Sequence, residues 1–147
     1  MAEFSPKFKE ALSLVQKPGR YTGGEPGCIY KDKSKVDVRM AFCFPDTYEI
    51  GMSFLGEKIL YDILNRHENW WCERAFMPWT DMKVQMERLD IPLYCLESKD
   101  PLTDFDIVGF SLEYELCYTN VLAMLRLSGI PLRAADRDEQ WPLIIAG

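Results

Sequence analysis

Short apolar runs alternating with segments of helical spacing restrict this chain more than any other feature between residues 36 and 147. Val36, Val38, Met40, Phe42 and Phe44 alternate, Ala41 and Cys43 fill the opposite face, and Pro45 ends the run. That pattern predicts a strand that becomes buried on both sides. Leu55, Ile59, Leu60, Ile63 and Leu64 then follow helical spacing. A second strand is expected from about Trp71 to Met77. The next helix, with Thr80 or Asp81 as its cap, repeats Met82, Met86 and Leu89 as core positions. Pro92 to Leu96 reads as a short extended piece.

Asp106 to Leu112 is a continuous apolar run of the kind found in a central parallel strand. A Leu- and Met-rich helix is expected from about Leu116 to Ser128, with Gly129 as its left-handed cap and Pro131 beyond. Pro142 to Gly147 reads as another buried strand. Strands alternating with helices imply a parallel sheet covered on both faces. Right-handed crossovers make it an α/β doubly wound parallel sheet, flavodoxin-like or Rossmann-like. Such a unit usually has about five strands, so the expectation is a domain truncated after its fourth main strand. An apolar edge left there would favour association.

Residues 1–35 are expected to form an N-terminal arm, with a short helix around Phe8 to Val15 and an extended remainder. Lys17 to Gly27 is too rich in Gly and Pro for a regular element on sequence grounds. Its glycines do not join a strand to a helix, so a phosphate-cradling loop is not expected. The α/β domain occupies residues 36–147.

The net charge of −6 comes without a basic stripe, which argues against direct nucleic-acid binding. Met1 to Gln16 lacks a secretory apolar core, and no stretch approaches a membrane span. Cys28, Cys43, Cys72, Cys95 and Cys117 are far apart and have no zinc or redox spacing. Reduced, mostly buried thiols and a cytoplasmic location are expected.

In an open parallel sheet, ligands bind beyond the carboxyl ends of the strands, where the strand order switches. The loops expected there are Pro45–Ser53, Met77–Asp81 and Leu112–Glu115. They bring Asp46, Thr47, Tyr48, Glu49, Trp79, Ser111, Glu113, Tyr114 and Glu115 to one crest. Asp136, Asp138 and Glu139 fall on the opposite edge and read as a solvated turn. His67, the only histidine, ends the first helix and reads as a surface residue.

At this crest, Asp46-Thr47-Tyr48-Glu49-Ile50-Gly51 resembles the Asp-x-His-x-x-Gly signature of cobalamin-binding domains, with Tyr48 in the His place. Gly109-Phe110-Ser111-Leu112 resembles the strand carrying their Ser-x-Leu segment, and Ile144-Ile145-Ala146-Gly147 the strand entering their Gly-Gly turn. With the runs Val15–Tyr21, Phe42–Ser53 and Pro131–Glu139, the chain resembles the N-terminal part of the cobalamin-binding radical SAM proteins of bacteria. The resemblance implies cobalamin held by Asp46, Thr47, Tyr48, Gly51, Ser111, Glu113 and Gly147. It also implies a downstream radical SAM domain in the same protein. That domain would carry an iron–sulfur cluster on a Cys-x-x-x-Cys-x-x-Cys motif, together with S-adenosylmethionine.

No such motif occurs in this chain, so no catalytic or metal-ligating residue is expected here. A phenol is a poor cobalt ligand at neutral pH, so Tyr48 implies cobalamin without a protein ligand on the metal. The alternative is a scaffold or docking domain that keeps the fold without the cofactor. A flavin module lacks its run of hydroxyl residues, and a phosphorelay receiver lacks its Asp after the third strand.

Overall fold

The computed structural model describes residues 4–147; residues 1–3 of the expected arm lie outside it. Its elements in chain order are helices α1 (Pro6–Ser13) and α2 (Gly19–Thr22), strand β1 (Val38–Phe44), helices α3 (Tyr48–Ser53) and α4 (Leu55–Asn65), and strand β2 (Trp70–Phe76). Helix α5 (Thr80–Leu89), strand β3 (Ile107–Phe110), helix α6 (Cys117–Leu127) and strand β4 (Leu143–Ala146) follow. The sheet runs in the order β2-β1-β3-β4, and every pairing is parallel. This is the flavodoxin-like doubly wound order expected from the sequence.

The sheet has two unlike faces. Ala41, Cys43, Ala75, Val108 and Phe110 face Met82 and Met86 of α5 and Met124 and Leu125 of α6 in the main core. Phe8, Ala11 and Tyr21 belong to that core as well, so the N-terminal segment packs as part of the fold. The opposite face holds a smaller cluster of Met40, Phe42, Cys72 and Tyr61, covered by α4.

Four local expectations are corrected. The segment after Lys17 contains α2, because Pro18 opens the turn, Tyr21 is buried, and Gly23 at φ 64° ends it. The expected loop after β1 is helical from Tyr48, with the Thr47 carbonyl accepting from the Gly51 N–H at 3.0 Å. Neither Thr80 nor Asp81 is the N-cap of α5; Trp79 holds that place without a side-chain bond. Asp81 instead accepts from the Gln16 N–H at 2.9 Å and the Tyr21 hydroxyl at 3.4 Å, anchoring the N-terminal segment. Finally, β4 is an edge strand, with Leu143 61% exposed and Ile145 also open. Both share the sheet face of Ile107 and Gly109, and α4 covers that face over the β1 and β2 side.

Helix α4 is turned opposite to its apolar spacing. Glu57, Tyr61 and Asn65, one turn apart, are buried, whereas Leu55 is 67% exposed and Ile59 and Ile63 stand outward. Specific bonds hold this orientation. The Asn65 amide donates to the Cys72 carbonyl at 2.9 Å and accepts from the Cys72 N–H at 3.0 Å, as a neighbouring strand would. Two residues on, Glu97 accepts from the Arg74 N–H at 2.8 Å, and Leu96 donates to the Arg74 carbonyl at 2.7 Å. Side chains and a loop thereby satisfy the outer edge of β2, which would otherwise expose unpaired backbone.

Candidate functional site

The switch in strand order lies between β1 and β3, and their carboxyl ends are held together. The Ser111 N–H donates to the Cys43 carbonyl at 3.1 Å, and the Asn120 amide donates to the Pro45 carbonyl at 2.9 Å. On the far side of β3, the Gly147 N–H donates to the Phe110 carbonyl at 3.1 Å, and the Gly147 carbonyl accepts from Leu112 at 2.9 Å. Asp46, Ser111 and Gly147 therefore share one end of the sheet.

Their polar groups bond to their neighbours at the crest. Asp46 Oδ1 accepts from the Thr47 N–H at 2.7 Å, and its other oxygen accepts from the Tyr114 hydroxyl. That bond pushes the Tyr114 phenol up to about 12. The Ser111 hydroxyl, in a buried residue, donates to Glu113 at 2.5 Å. Residues 113–116 carry no helix or strand and are exposed, with Leu116 77% open. Tyr114 thus bridges β1 and β3 across the crest from a segment with little packing of its own.

Tyr48 and Gly51 belong to the other flank, over β2. The Tyr48 ring packs edge-on against Phe76, with centroids 5.5 Å apart, and its hydroxyl donates to Glu25 at 2.7 Å. Burial and the Glu25 carboxylate both raise this phenol above its ordinary range. The hollow lined by Thr47, Tyr48, Phe76 and Trp79 measures about 20 Å³, room for one water. Glu49 is bound to Arg20 at 2.7 Å, whose guanidinium lies 5.7 Å from the Trp79 ring centroid.

Gly51, one of the residues that the resemblance assigns to cobalamin, would admit a ligand only if the space beside its backbone were open. Its missing Cβ is occupied instead by protein: an added Cβ would sit 2.2 Å from the Phe76 ring and 3.2 Å from Phe44. The glycine lets α3 lie close on the strands. Gly51→Ala should therefore lower stability by about 1–3 kcal/mol through overpacking. Urea denaturation of the variant measures this, and an unchanged midpoint would reject the packing role.

The seven expected site residues thus divide between two flanks. Asp46, Ser111, Glu113 and Gly147 gather at the β1–β3 crest, with Thr47 bound to Asp46 beside it. Tyr48 and Gly51 point to the β2 side. Asp46, Ser111 and Glu113 bring carboxylate acceptors and a hydroxyl to this crest, each bonded to a protein partner. The position of Tyr48 does not suit ligation of a metal above that crest. His67 is exposed against Trp70, and residues 136, 138 and 139 are exposed, as expected. No group of three metal-ligating side chains occurs among the described residues.

Sequence reasoning missed a second polar cluster, beneath α4 and beside β2. Arg74 Nε donates to Glu97 at 2.7 Å and Nη2 donates to Glu25 at 3.2 Å, while the Tyr61 hydroxyl donates to Glu97 at 3.1 Å. Glu73 and Arg74 in succession inside an apolar strand were the available signal, because charges there require distant partners. Nothing comparable marked Glu57.

The family model describing the N-terminal region of radical SAM proteins matches residues 56–147. No curated protein and no solved structure matches the chain.

Proposed function

This chain belongs to the family defined by the N-terminal region of radical SAM proteins, and on that premise we propose that it is the cobalamin-binding module of a radical SAM enzyme. Family membership implies an iron–sulfur cluster and S-adenosylmethionine in the full protein. In this reading they reside in a downstream domain of the same cytoplasmic protein, and residues 36–147 present the crest to it, with residues 1–35 as an arm. No helix among the described residues is long and apolar enough to cross a membrane.

The observation that carries the reading is that Asp46 after β1 and Ser111 after β3 lie at the strand-order switch, where Tyr114 from the segment after β3 bonds to Asp46. Ligands of doubly wound sheets enter at this point. Ser111 and Glu113 would hydrogen-bond the nucleotide tail, Asp46 its amides, and Gly147 would leave the neighbouring crest free of side-chain bulk. Bound there, cobalamin would supply a methyl carrier or a tuner of radical chemistry. The chain's own part is orientation and exclusion of water. Tyr48, committed to Glu25, would give cobalt no ligand.

Titration with hydroxocobalamin, followed in the visible spectrum, tests this. Saturable binding without a protein nitrogen ligand is expected, and Ser111→Leu should weaken it by about tenfold or more while the circular dichroism spectrum persists. A folded chain that leaves the spectrum unchanged ends the cobalamin reading.

A second reading, a docking domain without cofactor, is favoured by a specific observation. Leu116, Tyr118 and Leu122 around the start of α6, and Leu143 and Ile145 on β4, are large, apolar and exposed, as surfaces that meet another domain are. If Ser111→Leu leaves the full protein's activity intact, this second reading holds.

A further inference from the structure

Beneath α4, away from the crest, lies a cavity of about 290 Å³ lined by Pro26, Ile29, Met52, Glu57, Tyr61 and Arg74 among others. It sits at the small end of the range for ligand sites, roughly 300–1,000 Å³. Glu57 is 1% exposed, yet neither of its carboxyl oxygens has a hydrogen-bond partner. Buried carboxyl groups are ordinarily paired, because water has been stripped from them without replacement.

The Arg74 and Tyr61 donors are largely committed elsewhere, and Lys58, exposed on the same lining, forms no bond to Glu57. Arg74 spends Nε and its backbone N–H on Glu97, Nη2 on Glu25 and the Cys28 sulfur at 3.0 Å, and Nη1 on the Met52 sulfur at 3.1 Å. The Tyr61 hydroxyl donates to Glu97 and accepts from the Ile29 N–H at 2.8 Å. Glu97, Glu25 and Asp62 outweigh the Arg74 guanidinium and the Lys58 ammonium, and an ionised Glu57 adds a further negative charge. An entering anion would meet this negative balance. What the Glu57 carboxyl lacks is a cationic partner rich in N–H bonds, on a body small enough for the apolar walls.

We propose that this chamber binds a small primary ammonium compound, its N–H groups on the Glu57 carboxylate and its carbon chain against Pro26, Ile29 and Met52. Charge-assisted bonds of this kind are roughly twice as strong as neutral ones. A neutral alcohol of the same length would offer one uncharged donor and leave the second carboxylate oxygen alone. The site is separate from the crest and does not depend on cobalamin being bound there.

The test uses n-butylammonium chloride as probe, n-butanol as its neutral counterpart, and the isotopically labelled full chain. NMR shifts of Ile29, Met52, Glu57 and Tyr61 should move together and saturate with the ammonium. They should do so about tenfold more weakly with the alcohol, and about tenfold more weakly with the ammonium in Glu57→Gln. Equal binding of alcohol and ammonium by the unaltered chain overturns the proposal without reference to any variant. So do shifts scattered over the surface, or affinity unchanged in a folded Glu57→Gln. Hydroxocobalamin spectra read the crest separately, so failure at either place is assigned without ambiguity.

Discussion

Glu97→Ala is expected to lower the free energy of unfolding by about 3–5 kcal/mol, a large share of the roughly 5–15 kcal/mol that holds a domain folded. Glu97 is buried, and its carboxylate accepts from Arg74 Nε, from the Arg74 backbone N–H and from the Tyr61 hydroxyl. Truncation leaves all three donors short of an acceptor. Burial works against the charged guanidinium, yet Glu97 overrules it and holds Arg74 protonated more firmly than a free arginine. Without that carboxylate the guanidinium stays in a desolvated site facing Glu25 alone at 3.2 Å. The β2 edge loses its cover at the same point. Urea denaturation should show a lower midpoint with an unchanged slope. Glu97→Leu combined with Arg74→Met removes both charges and should recover part of the loss, the share due to the stranded guanidinium; the backbone N–H at position 74 and the Tyr61 hydroxyl still lack their acceptor. A single Glu97→Ala variant within about 0.5 kcal/mol of the original chain would show that this pair is not structural.

The contrast between β1 and α4 shows where sequence reading succeeds and where it stops. Met40, Phe42 and Cys43 lie in a central strand buried on both faces, so burial itself wrote the apolar run. Strand order then followed from handedness and placed Asp46 beside Ser111 before any side chain was considered. Helix α4 has the period of an amphipathic helix, but period does not say which stripe faces inward. Glu57, Tyr61 and Asn65 repeat at the same spacing as Leu55, Ile59 and Ile63, and the inward place of Tyr61 and Asn65 depends on Cys72, Glu97 and Ile29. Such pairings between distant segments leave no local pattern. Gly51 is a related case: six residues of signature suggested a ligand approach, and the Phe76 ring, 25 positions away in the chain, takes the space. The crest was legible because topology places it. Its division into a β3 flank and a β2 flank was not, because Tyr48 follows Glu25, and Glu25 follows Arg74.

Glu57→Gln should stabilise the chain, and the gain should grow with pH. Desolvation raises the Glu57 carboxyl from its ordinary 4.5 to about 8; Arg74 opposes this and Glu97 reinforces it. Folding therefore favours the protonated acid. That contribution is fully present below the unfolded value and is lost as pH rises from about 4.5 through about 8. Gln has the shape of the neutral acid and takes up no proton, so the variant escapes this loss. The two chains should be equally stable near the bottom of that window. The gap should widen by about 1.4 kcal/mol per pH unit, reaching roughly 3 kcal/mol at about pH 7 and levelling off above the folded value. Thermal or urea unfolding of both chains across the window measures the gap. A difference that stays flat with pH would mean that Glu57 is not protonated by folding. The sign also bears on the chamber, because an ammonium that ionises Glu57 on binding must supply what folding withheld. A residue that weakens the fold at neutral pH while lining a cavity is the kind of group that substitution stabilises and function retains.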